Sequence, residues 1–372
     1  HKRFVLSARV LHADETPVAL LDPGRGKTKK AYVWAYARGA FDPVPGVIYD
    51  FCEGRGAQFP IAFLGTAQGA QDERSWRGTL VRDEYKAYDS VMSAEAGRTA
   101  AGCLAHARRK FDELLLVSGK SAVAEEALRR IAEIYRLERK LSALTSEERL
   151  ASRRSDAKPL WADLHEWLRV ERSRVPDGSA TAKAMNYSLN HWEALTHNLL
   201  DGDVNVDNNS LENLIRPWAV GRRSWLFAGS ALAGQRAAIV MSLVQSAKLQ
   251  GHDPWAYPND VLTKLPTQLN SRIHETPAAQ LESGILTPVS SAYWQLGYIP
   301  PEGMMPEAET PLRLARRHVV DGSRLVDEQA ARVARMDPDG DQVGPAIALL
   351  DTMKQTLAVF VADLARLEAK SF

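Results

Sequence analysis

Apolar and polar residues alternate along residues 8–20, 31–38 and 46–52, and a period of two predicts β-strands. A helix is expected near 58–66 and a further short strand at 79–83. The Gly-rich, basic stretch from Asp22 to Lys30 reads as the hairpin joining the first two strands. From 105 to 200 the period becomes helical, with Leu115, Ile131, Ile134, Leu137, Leu141, Trp161, Leu164, Trp167 and Leu168 supplying the apolar face. After about 266 a Pro-rich stretch of low periodicity runs to about 311. Two amphipathic helices follow at 312–336 and 346–370, the second striped by Leu349, Leu350, Met353, Leu357, Val361 and Leu364. The turn between them, Asp337-Pro338-Asp339-Gly340-Asp341, invites a calcium reading. An EF-hand needs Gly at loop position six and Glu at twelve, and Gln342 and Ala348 stand there, so an ordinary helical hairpin is expected.

Three acidic segments stand out from this pattern. In Val10-Leu11-His12-Ala13-Asp14-Glu15-Thr16 the strand period puts His12, Asp14 and Thr16 on one face and Glu15 on the other. Thr79-Leu80-Val81 runs into Asp83 and Glu84, at a strand end, where open α/β sheets place their chemistry. Leu211, Leu214 and Ile215 recur at helical spacing, so Glu212 falls in the first turn of a helix capped by Asp207, Asn208 or Asn209. Asn209-x-x-Glu212 is also an approximate capping box, in which Glu212 would only satisfy a backbone N–H. Taken singly, Asp14 and Asp83 could be solvated strand-end acids.

Composition narrows the classes. The chain is 45% hydrophobic and 25% charged with a net charge of +1, as expected of a globular protein of more than one domain. Two cysteines, Cys52 and Cys103, are too few for a disulfide framework or a four-ligand zinc site and fit a reducing cytoplasm. Cys103 and His106 make half a metal site at most. No apolar run approaches the roughly 20 residues of a membrane span. Positive residues cluster at Arg25-Lys27-Lys29-Lys30, Arg108-Arg109-Lys110, Arg129-Arg130 and from Arg216 to Arg223; such patches, rather than the total, would meet phosphate. Each could equally be a solvated face. Gly26-Lys27-Thr28 resembles the end of a P-loop, but Leu21 stands where the earlier glycine is required.

The wording around the acids is more specific. Leu11-His12-Ala13-Asp14-Glu15-Thr16-Pro17-Val18, Gly102-Cys103-Leu104-Ala105-His106-Ala107-Arg108-Arg109-Lys110-Phe111, Asp207-Asn208-Asn209 through Glu212, and Gly221-Arg222-Arg223-Ser224-Trp225-Leu226-Phe227 occur in that order, followed by Ala247-Lys248-Leu249-Gln250-Gly251. Over roughly residues 8–265 these blocks resemble the insertion-sequence-66 family of bacterial transposases. The resemblance implies an α/β, ribonuclease H-like catalytic core with a large α-helical insertion, to which a C-terminal helical hairpin is appended. Its expected parts are 1–104 and 201–266 for the core and family tail, 105–200 for the insertion, 267–311 for a linker and 312–372 for the hairpin. It further implies a DDE transposase, a polynucleotidyl transferase with Asp14, Asp83 and Glu212 as catalytic and metal-binding carboxylates for two Mg²⁺ or Mn²⁺ ions. Arg25, Lys27, Arg108, Arg109, Arg216, Arg222 and Arg223 would meet DNA, and His12, His106, Asn208 and Asn209 would support the site. The expected partner is double-stranded DNA, at element ends and target, bound by a homo-oligomer at the bacterial nucleoid. Family members ordinarily carry cysteine-rich recognition segments ahead of the first carboxylate, so the expectation here is a catalytic portion without its terminal-repeat reader. Rival readings are a structure-specific nuclease on the same fold and a non-catalytic DNA-binding remnant.

Overall fold

A computed structural model of the chain describes residues 1–22, 24–65, 75–264, 311–335 and part of 346–368. The chain divides into two compact units, His1–Ser291 and Ala292–Phe372. In the first, a short helix α1 (Lys2–Leu6) leads into strands β1 (Val10–Asp22), β2 (Lys27–Arg38) and β3 (Val47–Cys52). Then come α2 (Gln58–Leu64), β4 (Gly78–Val81), a 3₁₀ turn at Lys86–Val91 and β5 (Arg98–Ala101). The strand periods of the sequence are present, but β1 and β2 extend further than expected, leaving only a tight turn between Asp22 and Lys27. No helix follows that turn, so the P-loop likeness has no structural counterpart. The sequence reading passed over β5, whose four residues Arg98–Ala101 are too few to show a period.

The five strands form one sheet in the order β3-β2-β1-β4-β5. β1, β2 and β3 are antiparallel neighbours, whereas β4 pairs parallel to both β1 and β5. β4 accompanies β1 only from Val10 to His12, so beyond His12 the sheet forks. Pro17, whose missing N–H would break a ladder in a fully paired strand, lies past that fork.

One face of the sheet packs with α1 and α2 around Trp34, Tyr36, Phe63, Leu80 and Tyr88. The other is covered by α9 (Asn209–Trp225) and α10 (Ala231–Leu249), whose Leu211, Ile215, Trp218 and Ala238 meet Val33, Val47 and Phe51. Between β5 and α9 run α3 (Leu104–Ser118), α4 (Ala122–Leu141), α5 (Ser146–Ser152), α6 (Lys158–Arg174), α7 (Ala180–Asn190) and α8 (Trp192–Leu195). These build their own core around Phe111, Ile131, Ile134, Trp161 and Leu164, with Trp167 and Trp192 packed against it, so the three tryptophans are structural. α11 (Ala256–Lys264) ends the described part of this unit.

The edge strand β3 is closed by serines. Val47 N–H donates to Ser246 Oγ at 3.0 Å and Tyr49 N–H to Ser242 Oγ at 2.8 Å, replacing the bonds a neighbouring strand would make. Close approach needs a small-residue seam: a Cβ on Gly234 would lie 2.6 Å from the Phe51 ring. In the second unit α12 (Pro311–Val333) is a single helix, and the described residues between 346 and 368 are helical. The expected turn at 337–341, with Gln342 and Ala348, and nearly all of the Pro-rich stretch lie outside the described residues. No helix among the described residues is long and apolar enough to cross a membrane.

Candidate active site

The register of β1 and β4 sets two of the acids level. His12 pairs with Val81 in parallel, so Asp14 and Asp83 each stand two residues further along, where the strands part. The strand period then sorts β1's side chains as expected. Glu15 points to the α2 face, where Arg55 Nε donates to it at 2.6 Å and the Tyr88 hydroxyl at 2.8 Å. Its carboxylate is sealed away, with 1% of the side chain exposed. Glu84 is also committed elsewhere, to His191 at 2.9 Å and Arg82 at 3.7 Å. That leaves Asp83, whose Oδ1 accepts the Tyr85 N–H at 3.0 Å, as the acid of this pair without a cationic partner among the described residues.

Asp14 carries the electrostatic signature. Its pKa is pushed up to about 8, first by burial, then by the negative charges of Glu15, Asp83 and Glu212. The Glu15 N–H, donating to Asp14 Oδ1 at 2.8 Å, works in the opposite direction. Acids at 14, 83 and 212 therefore share one electrostatic neighbourhood despite their separation in sequence.

What carries Glu212 there is the loop before α9. Asn208 is fully buried; its amide NH₂ donates to the Ala13 carbonyl at 3.0 Å, which leaves its Oδ1 facing His12 Nδ1 at 2.8 Å. That contact requires Nδ1 to carry the proton. Nε2 faces a second acceptor, Asn205 Oδ1, at 3.2 Å; burial lowers the His12 pKa, while both asparagine contacts work in the opposite direction. The Asn208 backbone N–H donates to Cys103 Sγ at 3.2 Å. One asparagine thus ties the strand of Asp14, the start of α3 and the start of α9 together. His12 and Asn208 stand at the site as structural ties. Asn209 does not join them: it is exposed and donates to Asp207 Oδ2 at 2.7 Å.

Glu212 lies in the first turn of α9, but the capping box does not form. Asn208, not Asn209, is the N-cap, and no side chain caps the helix. The carboxylate turns instead toward α3, 3.5 Å from Arg109 and 3.8 Å from His106 Nδ1. Glu212 Oε1 and His106 Nδ1 are both buried and without a hydrogen-bond partner. Burial lowers the His106 pKa. The ligand atoms of Cys103, His106 and Glu212 all lie within 4.8 Å of one another. The half-site of Cys and His therefore has a third neighbour, invisible in sequence because α3 and α9 are joined only by folding. Cys103 is a poor ligand for a hard cation; burial first of all pushes its thiol up to about 12, and its sulfur already accepts the Asn208 N–H. The oxygen donors Asp14, Asp83 and Glu212 are the set that suits Mg²⁺ or Mn²⁺. A raised carboxyl pKa and an orphaned carboxylate oxygen are the two marks a cation would erase.

The basic residues separate into two groups. Arg216 and Arg223 on α9 are exposed, as is Lys27 at the β1–β2 turn. Arg25 is exposed beside Asp22 at 3.6 Å, and Arg108 pairs with Asp112 at 3.5 Å. Arg109 also meets Glu212. Arg222 has a second, structural part: its Nη1 donates to the Pro17 carbonyl at 2.6 Å and Thr16 Oγ1 at 3.2 Å, tying α9 to β1.

Residues 1–236 match the family described as Transposase IS66 family, and residues 242–275 match the IS66 C-terminal element. Among curated proteins, the uncharacterized protein y4hP of Sinorhizobium fredii is 33% identical over 290 residues, covering 73% of this chain and 50% of that protein. The uncharacterized protein y4qI of the same organism is 36% identical over 264 residues, covering 68% of this chain and 47% of its own length. The chain spans about half the length of the curated relatives it matches. No solved structure matches it.

Proposed function

The chain belongs to the IS66 family of transposases, and from that premise we propose that it carries the catalytic core of a DDE-type DNA transposase. Asp14, Asp83 and Glu212 are its metal-binding carboxylates, and its reaction is phosphoryl transfer at the ends of an insertion element. The observation that carries the reading is the fork between β1 and β4, where in-register strands set Asp14 and Asp83 level and Glu212 is close enough to help raise the Asp14 pKa to about 8. An antiparallel β3-β2-β1 followed by parallel β4 and β5, with helices on both faces, supports a ribonuclease H-like core.

Two Mg²⁺ or Mn²⁺ ions would supply Lewis-acid stabilisation of the transferring phosphate and activation of the attacking hydroxyl. Asp14, Asp83 and Glu212 would hold them. Asn208 and His12 keep β1 and α9 at fixed separation, so the carboxylates need not move to meet substrate. Arg109, 3.5 Å from Glu212, orients that carboxylate. Exposed Arg216 and Arg223 contact phosphates and set the register of double-stranded DNA without reading its sequence. Water attacks the phosphodiester at the element end, the P–O3′ bond breaks and the 3′-OH leaves; that hydroxyl then attacks a target phosphodiester and expels the target strand's own 3′-OH. Both ends and the target must be held together, which calls for a homo-oligomer on DNA.

The test is Mg²⁺-dependent cleavage and joining on pre-nicked duplex. Alanine at position 14, 83 or 212 should lower cleavage by about a hundred-fold or more, the scale of removing one charge-stabilising group, with DNA binding retained because Lys and Arg supply it. Cleavage without joining would identify a nuclease. A Glu212→Ala chain cutting at the parental rate would overturn the assignment.

A further inference from the structure

The sequence block from Gly221 to Ser230 is not used up by the carboxylate site, and the structure gives it an unusual shape. Leu226 is the sole non-glycine among the described residues with positive φ, at φ 65° and ψ −54°. Phe227 N–H closes back on the Trp225 carbonyl at 2.8 Å. These are the marks of a classic γ-turn, a rare and strained conformation. The strain is held from both sides: Leu226 N–H donates to the Arg222 carbonyl at 3.1 Å, and Ala228 bridges β1 through Leu21 N–H at 2.9 Å and the Ala19 carbonyl at 2.8 Å. Its result is to project an apolar side chain. Leu226 is 63% exposed between Trp225 at 41% and Phe227 at 42%.

The turn's setting selects a polyanion. From Asn213 to His252 the sequence holds no Asp or Glu, yet it holds Arg216, Arg222, Arg223, Arg236 and Lys248. The β1–β2 turn with Arg25 and Lys27 lies at the same end of β1 that Ala228 bridges. A rigid apolar tip on an acid-free stretch of chain, beside a turn whose Asp22 is paired with Arg25, is what a wedge between base steps requires: cations hold the phosphates and the side chain replaces stacking. The Trp225 ring is already braced, edge-on to Trp218 at 6.0 Å and lying over Gly221, where a Cβ would fall 2.6 Å from its indole nitrogen.

We propose that the Trp225-Leu226-Phe227 turn is a DNA-intercalating wedge, with Leu226 inserted between base pairs and the two aromatic rings against the bases it unstacks. This rests on the transposase reading above. Leu226 follows Glu212 by 226 − 212 = 14 residues, about 21 Å at the helical rise, or about six base-pair steps along a duplex. The wedge therefore distorts DNA away from the scissile phosphate and fixes the position of the cut.

The full chain is mixed with nicked duplexes carrying 2-aminopurine at successive positions along the helical turn nearest the nick. Emission from this base rises when it is unstacked, and the expected rise is confined to one or two neighbouring positions. Leu226→Gly removes the wedge and also relieves the turn, because glycine takes positive φ freely; it should melt no lower than the parent and bind within about threefold, since phosphate contacts supply the affinity, yet lose the emission rise. Leu226→Met should keep it. Parental binding with no rise at any position, or an equal rise in Leu226→Gly, overturns the wedge and leaves the transposase reading intact. Absence of duplex binding by the parent overturns both. If Leu226→Gly instead dissociates an oligomer in sedimentation while the emission rise persists, the turn is a contact between copies of the chain and the proposal fails.

Discussion

Asp14 makes the site measurable without substrate. Its folded pKa is raised to about 8 from an ordinary 3.8, so the metal-free native state keeps a proton that the unfolded chain has lost. Stability from this group is complete below the unfolded value and disappears as pH rises through the folded one. The melting temperature of the metal-free chain should fall between about pH 4 and pH 8. Asp14→Asn should flatten that fall and exceed the parent at pH 8 by at least about 1.4 kcal/mol, the value of one pKa unit. Other buried acids titrate as well, so the difference between the two proteins is the quantity to follow. Mn²⁺ at about 100 times its dissociation constant should restore roughly 2.7 kcal/mol to the parent and markedly less to Asp14→Asn. Two neighbouring arginines separate by the same reasoning. Arg223→Ala should leave melting unchanged and reduce the salt slope of DNA binding by about one. Arg222→Ala, which strips donors from Pro17 O and Thr16 Oγ1, should instead lower the melting temperature.

Among the elements, the consequential contact is α10 against the edge of β3. A helix apolar on nearly every side is normally buried, yet Leu232, Ile239 and Val240 of α10 are exposed. What fixes this helix is its small-residue seam. Ser242 and Ser246 take the N–H groups of Tyr49 and Val47, and Gly234 admits Phe51. Replacing either serine with alanine leaves a buried N–H unpaired, and chemical denaturation should show a loss of about 1 to 3 kcal/mol in each case. A loss for both that is no greater than for solvent-facing Ser→Ala changes elsewhere on the chain would show that water serves the edge equally well.

For the whole molecule, the second unit begins at Ala292, beyond the end of the family match at residue 275. A chain ending at Ser291 should keep the melting temperature and the Mn²⁺ response of the full chain; aggregation or loss of either would make the second unit integral to the first. The choice of Asp14, Asp83 and Glu212 came from wording shared with the IS66 family, not from period. The sequence by itself determined strands β1 to β4 and the helical middle, because periodicity is a local property that each segment carries alone. The two-faced sorting of His12, Asp14 and Thr16 from Glu15 was legible for the same reason. The short β5 was not, since four residues hold too little pattern. Only the tertiary structure decided that Arg222 is a strut, that Glu212 faces His106 and Arg109 rather than its own helix cap, and that Asn208 joins three elements. Those are contacts between segments far apart in the chain. Whether a polar group bonds locally or reaches across is settled by which partners burial brings within about 3 Å, and no local pattern encodes that.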